Sequence, residues 1–219
     1  MQEARKLSAH HLLNLWADVL FDHHSDVPFM RESIAQQGLS KESRMGLRCV
    51  NGDKVEISRI WVMPTIWTFR MKPVQALFEK YRVGAGWIDP FAGENSPAEF
   101  TNDIEGRGNK SQMDGLEFLK SIRDSFAVGG LFDPPYSVEM CLRHYTPKFN
   151  GTAGRTEYHS KCKDEFARNI QVGGHAISFG WNSGGIGKKR GFEIVEILML
   201  CHGACHNDTI ITVDRRVAY

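Results

Sequence analysis

The run Ala127–Tyr136, AVGGLFDPPY, joins a stretch of apolar and small residues to an acid, two prolines and an aromatic ring. A short continuous apolar run bounded by turn residues reads as a strand buried on both faces, as in a parallel sheet. Ligands of open α/β sheets sit beyond the carboxyl ends of the strands, so the strand delivers the Asp133 carboxylate to that crevice. Pro134 and Pro135 each fix φ and remove a backbone donor. The segment therefore keeps its carbonyls free as acceptors and holds one geometry. Tyr136 then presents a flat aromatic face. Acceptors at the rim of such a platform suit a planar substrate that carries an exocyclic amine. The same letters also serve as an ordinary strand-ending turn.

Around this strand the chain alternates. KPVQALFEKY (72–81) reads as a helix, Gly86-Trp87-Ile88 as a short strand and EFTND (99–103) as another. GLEFLKSI (115–122) reads as a helix, as do residues 138–145 and 160–170. HAISFGW (175–181), FEIVEILML (192–200) and DTIITVDRR (208–216) read as strands. The alternation predicts an α/β fold with a doubly wound, mostly parallel sheet and an antiparallel edge hairpin. Upstream, residues 8–22 have a helical apolar face, Ser25 or Asp26 is placed to cap a second helix, and Gly38 to end it. Asn51-Gly52 between LRCV and KVEISRI is a hairpin signal. Residues 1–60 thus read as a small α+β appendage and a candidate substrate-recognition element, and residues 61–219 as the main domain.

With 219 residues, 42% hydrophobic and 24% charged, the chain can bury a full core. A net charge of +1 neither supports nor excludes a polyanionic partner. The five cysteines are an odd number, better read as free thiols in a reducing cytosol than as a disulfide framework. The first residues mix Glu3, Arg5, Lys6 and Asp18 with leucines, unlike a signal peptide. No apolar run approaches the ~18–20 residues of a membrane span. The expected location is cytoplasmic. CHGACHND (201–208) lies between two strand patterns, where a hairpin turn rather than a metal site is expected.

Four segments in a fixed order carry a resemblance. They are TFRMKPV (68–74), WIDPFAG (87–93), MDGLEFL (113–119) and DPPY (133–136). Together they resemble the DNA amino-methyltransferases, which methylate adenine N6 or cytosine N4 with S-adenosylmethionine, and most of all the short phage-encoded members. The order is similar to the gamma arrangement, and the likeness runs from about Trp67 to Arg216. It implies a class I methyltransferase-like fold, catalytic Asp133, Pro134, Pro135 and Tyr136, and N6 of adenine in DNA as acceptor. It also implies a cofactor site of Thr68, Phe69, Lys72, Asp89, Phe91, Ala92, Gly93 and Asp114, with Asn102 or Asp103 at the ribose. Residue chemistry agrees in the cofactor half: Gly93 lets the backbone approach a ligand, and Phe91 offers apolar cover. Cytosine N4, RNA adenine and a protein glutamine share the acceptor geometry.

The chain departs from the family pattern where Asn95 stands in place of a second glycine. Pro97 breaks the segment that is normally a helix, and Asp103 follows Gly93 by only ten residues. Either that helix has shrunk to a loop and Asn102 or Asp103 still reaches the ribose, or the ribose is held elsewhere. These departures also admit a non-catalytic nucleic-acid-binding module that keeps the fold. An exocyclic amine inside a duplex is out of reach, so the base must be flipped out or arrive single-stranded. The segment after DPPY, with Lys148, Arg155, His159, Lys161 and Lys163 beside the aromatic Phe149 and Tyr158, is the best candidate for target contact. Lys188, Lys189 and Arg190 join them as candidate phosphate contacts from the glycine-rich loop 181–192, which also reads as a plain solvated loop.

Overall fold

The computed structural model describes residues 45–48, 54–65, 67–136, 156–203 and 206–218. Their strands form one mixed sheet: β1 (Met45–Arg48), β2 (Lys54–Trp61), β3 (Trp87–Asp89), β4 (Phe100–Thr101), β5 (Ala127–Phe132), β6 (Ile170–Gly180), β7 (Phe192–Cys201) and β8 (Thr209–Arg216). The spatial order is β1-β2-β7-β8-β6-β5-β3-β4. Strands β4, β3, β5 and β6 are parallel. Strand β8 lies antiparallel between β6 and β7. Beyond β7, β2 adds in parallel and β1 closes that edge antiparallel to β2. Among the described residues three α-helices cover the sheet: α1 (Lys72–Tyr81), α2 (Gly115–Ser121) and α3 (Thr156–Asn169).

The two layers meet at β5. Successive side chains of a strand point to opposite faces, so Leu131 joins the cluster under α1 while Phe132 joins the one under α2 and α3. α1 buries Val74, Leu77 and Phe78 on its side. The two glycines of AVGGLF are where large rings cross the strand. A Cβ at Gly129 would lie 2.6 Å from the Trp87 ring, and one at Gly130 would collide with Phe166. The doubly wound sheet of the sequence reading is thus present, with one helical layer on each face.

Several elements differ in extent. AVGGLF and KPVQALFEKY match their expected bounds, whereas EFTND contracts to a two-residue strand and β6 begins at Ile170. The antiparallel pair β7–β8 forms, but the outermost place goes to β1–β2. An unpaired β7 edge would expose a row of backbone donors and acceptors, and β2 satisfies them through six paired positions from Glu56↔Glu196 to Trp61↔Cys201. The expected division at residue 60 therefore falls inside β2, and residues 54–61 belong to the sheet. The β1–β2 pairing agrees with the predicted hairpin. Its Asn51-Gly52 turn, the two upstream helices and the helix at 138–145 lie outside the described residues. No helix among the described residues is long and apolar enough to cross a membrane.

Candidate active site

The carboxyl ends of β3, β4 and β5 bring Asp89, Asp103 and Asp133 to one rim. Asp89 is buried and accepts from the Phe91 N–H at 3.0 Å and the Ser96 hydroxyl at 2.6 Å. Burial pushes its carboxyl up to about 7, against the pull of those two bonds and with added repulsion from Asp133 and Asp103. Ser96 was not among the expected site residues. A hydroxyl seven positions downstream has no spacing rule that announces it.

The segment between β3 and β4 is a loop, as Pro97 suggests, and side chains do the work of the missing helix. Asn102 is buried; its amide donates to the carbonyls of Pro90 and Met113, both at 3.0 Å, and accepts from the Met113 N–H at 3.0 Å. Both amide hydrogens are engaged inside the protein, so Asn102 is a staple and not a ribose contact. Asp103 is the residue that turns to the loop: it accepts from the N–H groups of Gly93 and Glu105. Burial holds its carboxyl above the ordinary range. Gly93 has φ +57°, and a side chain added there would meet open space, so the loop backbone is approachable from outside. Ala92 donates to the Asn102 carbonyl at 2.9 Å, which ties the tip of the loop to β4.

Ahead of MDGLEFL, Ser111 makes a single parallel bridge to Asn102. Asp114 follows it as the N-cap of α2. It accepts from Leu116 N–H at 2.9 Å and from the Tyr158 hydroxyl at 2.9 Å. The Phe91 ring lies against Gly115, where a Cβ would stand 2.5 Å from it, and packs edge-on to Phe132 at 5.6 Å. Of the residues expected at the cofactor, Asp89, Phe91, Ala92, Gly93 and Asp103 assemble around one loop. Asp114 is committed to the cap and to Tyr158.

The segment before α1 reaches the carboxyl end of β5. Thr68, in a short 3-10 turn, donates from Oγ1 to Asp133 Oδ2 at 3.1 Å, and Tyr136 donates from its hydroxyl to Asp133 Oδ1 at 2.5 Å. Each carboxylate oxygen keeps a lone pair for a further donor. Burial raises the Asp133 carboxyl, opposed by the two bonds. Burial beside Asp133 also raises the Tyr136 phenol well above its usual value, which keeps it a donor. Phe69 packs edge-on to Phe179 at 5.5 Å. Lys72 is exposed at the start of α1 and is not drawn into the site.

Beyond Tyr136 opens a cleft of about 400 Å³, lined by Pro134, Tyr136, Phe179, Trp181, Lys163 and Arg190 among others. Trp181 sits 5.4 Å from the Tyr136 ring, tilted by 58°. It follows directly on β6, and that position at a strand end was the available signal for it. Of the expected phosphate contacts, Lys188 and Lys189 are exposed and Lys161 pairs with Glu157 at 2.7 Å. Arg190 serves differently. It bonds Asp164 at 2.6 Å, the Ser160 hydroxyl at 2.9 Å and the Ile186 carbonyl at 3.0 Å. It fastens the glycine-rich loop to α3, because its donors find acceptors on both. Lys148, Phe149 and Arg155 lie outside the described residues. His202 bridges the Val62 carbonyl and Thr209 through its two ring nitrogens.

No known family profile matches the chain, and no curated protein sequence matches it. Among solved structures it is similar to TrmN from Thermus thermophilus at 15% identity, over 67% of this chain and 49% of that one, with a TM-score of 0.44. It thus spans about half of that protein's length. The putative methyltransferase yhhF from Escherichia coli overlaps at 12% identity, over 80% of this chain and 100% of that one, with a TM-score of 0.47. A 1,6-didemethyltoxoflavin-N1-methyltransferase from Burkholderia thailandensis overlaps at 10% identity, over 99% and 94%, with a TM-score of 0.45. The strand order is that of the class I methyltransferase fold, with antiparallel β8 lying between the parallel strands β6 and β7, and the β1–β2 pair is added beyond β7.

Proposed function

We propose that this chain transfers a methyl group from S-adenosylmethionine to the exocyclic amine of a nucleobase, with N6 of adenine in DNA as the first acceptor to test. The observation that carries the reading is Asp133 at the carboxyl end of β5, fixed by Thr68 and Tyr136 beside an open aromatic cleft. The residues of the β3–β4 loop fit the cofactor: Asp103 offers a carboxylate to ribose hydroxyls, Gly93 an approachable backbone, and Phe91 apolar cover. Bound S-adenosylmethionine supplies an electrophilic methyl group. Asp133 and the Pro134 carbonyl accept the two N–H groups of the amine and hold its lone pair in line. Tyr136 supports the base from the side of the cleft. Most of the acceleration then comes from positioning, which is worth up to about 7–11 kcal/mol. The raised carboxyl of Asp133 also makes it a serviceable acceptor for the proton released from nitrogen.

The test is nucleoside mass spectrometry after incubation with S-adenosylmethionine and unmethylated DNA, single- and double-stranded, with Asp133→Ala as control. N6-methyladenine formed only by the unmutated protein is the expected result. Equal methylation by Asp133→Ala would overturn the assignment. A second reading, a non-catalytic nucleic-acid-binding module, draws on the loop that replaces the helix after Gly93. It is favoured if saturating S-adenosylhomocysteine leaves the melting temperature unchanged, since a ligand that binds only the native state raises it.

A further inference from the structure

The cleft beside Tyr136 holds a cation that the chemistry proposed above does not use. Lys163 of α3 is partly buried, with Nζ 5.9 Å from the centre of the Phe132 ring and donating to the Gly185 carbonyl. Among the described residues no carboxylate lies within ion-pair distance of it. Asp214, the acid whose field it feels, is buried on β8, accepts from the Ile186 N–H at 3.1 Å and leaves its other oxygen without a partner. The neighbouring guanidinium of Arg190 is already matched by Asp164. Burial and the Arg190 charge both lower the Lys163 amine.

A half-desolvated cation is unfavourable unless an anion completes it. The two walls of the cleft differ in kind. The ends of β5 and β6 supply Tyr136 and Trp181, while α3 and the loop after β6 supply Lys163, Ser160 and Asn182. Its volume of about 400 Å³ falls within the roughly 300–1,000 Å³ usual for small-molecule sites. That suits one base with its sugar and phosphate, not a duplex. We propose that the α3 wall binds the phosphoester of the acceptor nucleotide, with Lys163 as its principal contact. The inference rests on the nucleobase reading and deepens it. The minimal acceptor is then a nucleotide rather than a nucleoside, and a protein side-chain amide is disfavoured.

The experiment is calorimetric titration of the full chain, with S-adenosylhomocysteine present, by adenosine, adenosine 5′-monophosphate and a short single-stranded oligodeoxyadenylate. A phosphate-bearing probe should bind about tenfold or more tightly than adenosine. Lys163→Met should erase that difference while leaving adenosine binding in place, and Lys163→Arg should keep most of it. A preference for the mononucleotide would name a free nucleotide as the source of the phosphate. Equal or tighter oligonucleotide binding would name an internal phosphodiester. Equal binding of all three probes, or a Lys163→Met loss that falls equally on adenosine and its phosphate, would overturn the proposal. Titration of S-adenosylhomocysteine alone is a separate readout. Its failure would speak against methyl transfer without touching the nucleoside-to-nucleotide comparison.

Discussion

At the β3–β4 end of the rim, Asn102 is bonded to the backbone of two neighbouring segments, Asp103 to Gly93 and Glu105, and Asp114 to the first turn of α2. At the β5–β6 end, Asp133 keeps lone pairs, Lys163 lacks a carboxylate partner among the described residues, and a cleft stands open beside them. The residue types are similar and their uses are opposite. The first end is a loop with no helix to satisfy its backbone, so polar side chains take over that task. The second end has the full length of α3 behind it and can leave side chains facing the cleft. Side chains left facing an open cleft therefore concentrate where regular structure is complete.

Removing Asp133 should sharpen the contrast most. Asp133→Ala is expected to lower methyl transfer about 10²–10⁴-fold, the usual range for a positioned acid–base group. The melting-temperature increase with S-adenosylhomocysteine should survive, because the cofactor loop is not touched. Loss of both would show that the two ends are not separable. Next in size, Asn102→Ala strips partners from three backbone groups, one in a buried bond and two in part-buried ones. A buried polar group left without a partner costs about 1–3 kcal/mol, so a fall of roughly 2 kcal/mol in denaturant-derived stability is expected. A neutral Asn102→Ala would break the staple account.

Thr68→Val removes one of the two bonds that orient Asp133. A hydrogen bond to a charged group is worth about 1.5–3 kcal/mol, so a drop in kcat of roughly tenfold or more is expected, with cofactor affinity retained. An unchanged kcat would mean that Tyr136 alone suffices.

A last prediction concerns pH. The Asp89 carboxyl lies near 7 in the folded protein against an ordinary 3.8, so the fold retains a proton that the unfolded chain releases. Its contribution to stability is full below pH 3.8 and is lost as pH rises through about 7. Melting temperatures measured across that window should fall less steeply for Asp89→Asn than for the parent. Parallel curves would place the proton elsewhere.

Much of this architecture is legible in the sequence because it depends on local pattern. AVGGLF is continuous and apolar, KPVQALFEKY has one apolar face with Pro73 in its first turn, and Pro97 rules out a long helix after the cofactor loop. The rim position of Asp89, Asp103 and Asp133 follows from where strands end. The pairing of β2 with β7 was not legible, since the partners lie some 140 positions apart and nothing in either strand names the other. Nor was the fate of the polar residues. Asn102 and Asp103 are adjacent in sequence, yet one is enclosed by backbone and the other turns to Gly93.

By itself, then, the amino-acid sequence determined the strand–helix grammar, the acid at the end of β5 and the rigid segment that follows it, because these rest on propensity, periodicity and the fixed φ of proline. Only the tertiary structure decided that Thr68 and Tyr136 hold Asp133, that Arg190 serves as a fastening, and that Lys163 faces the cleft without a carboxylate partner among the described residues. Those outcomes depend on which donors and acceptors folding brings within reach, and side-chain hydrogen bonds act over about 3 Å whatever the separation along the chain.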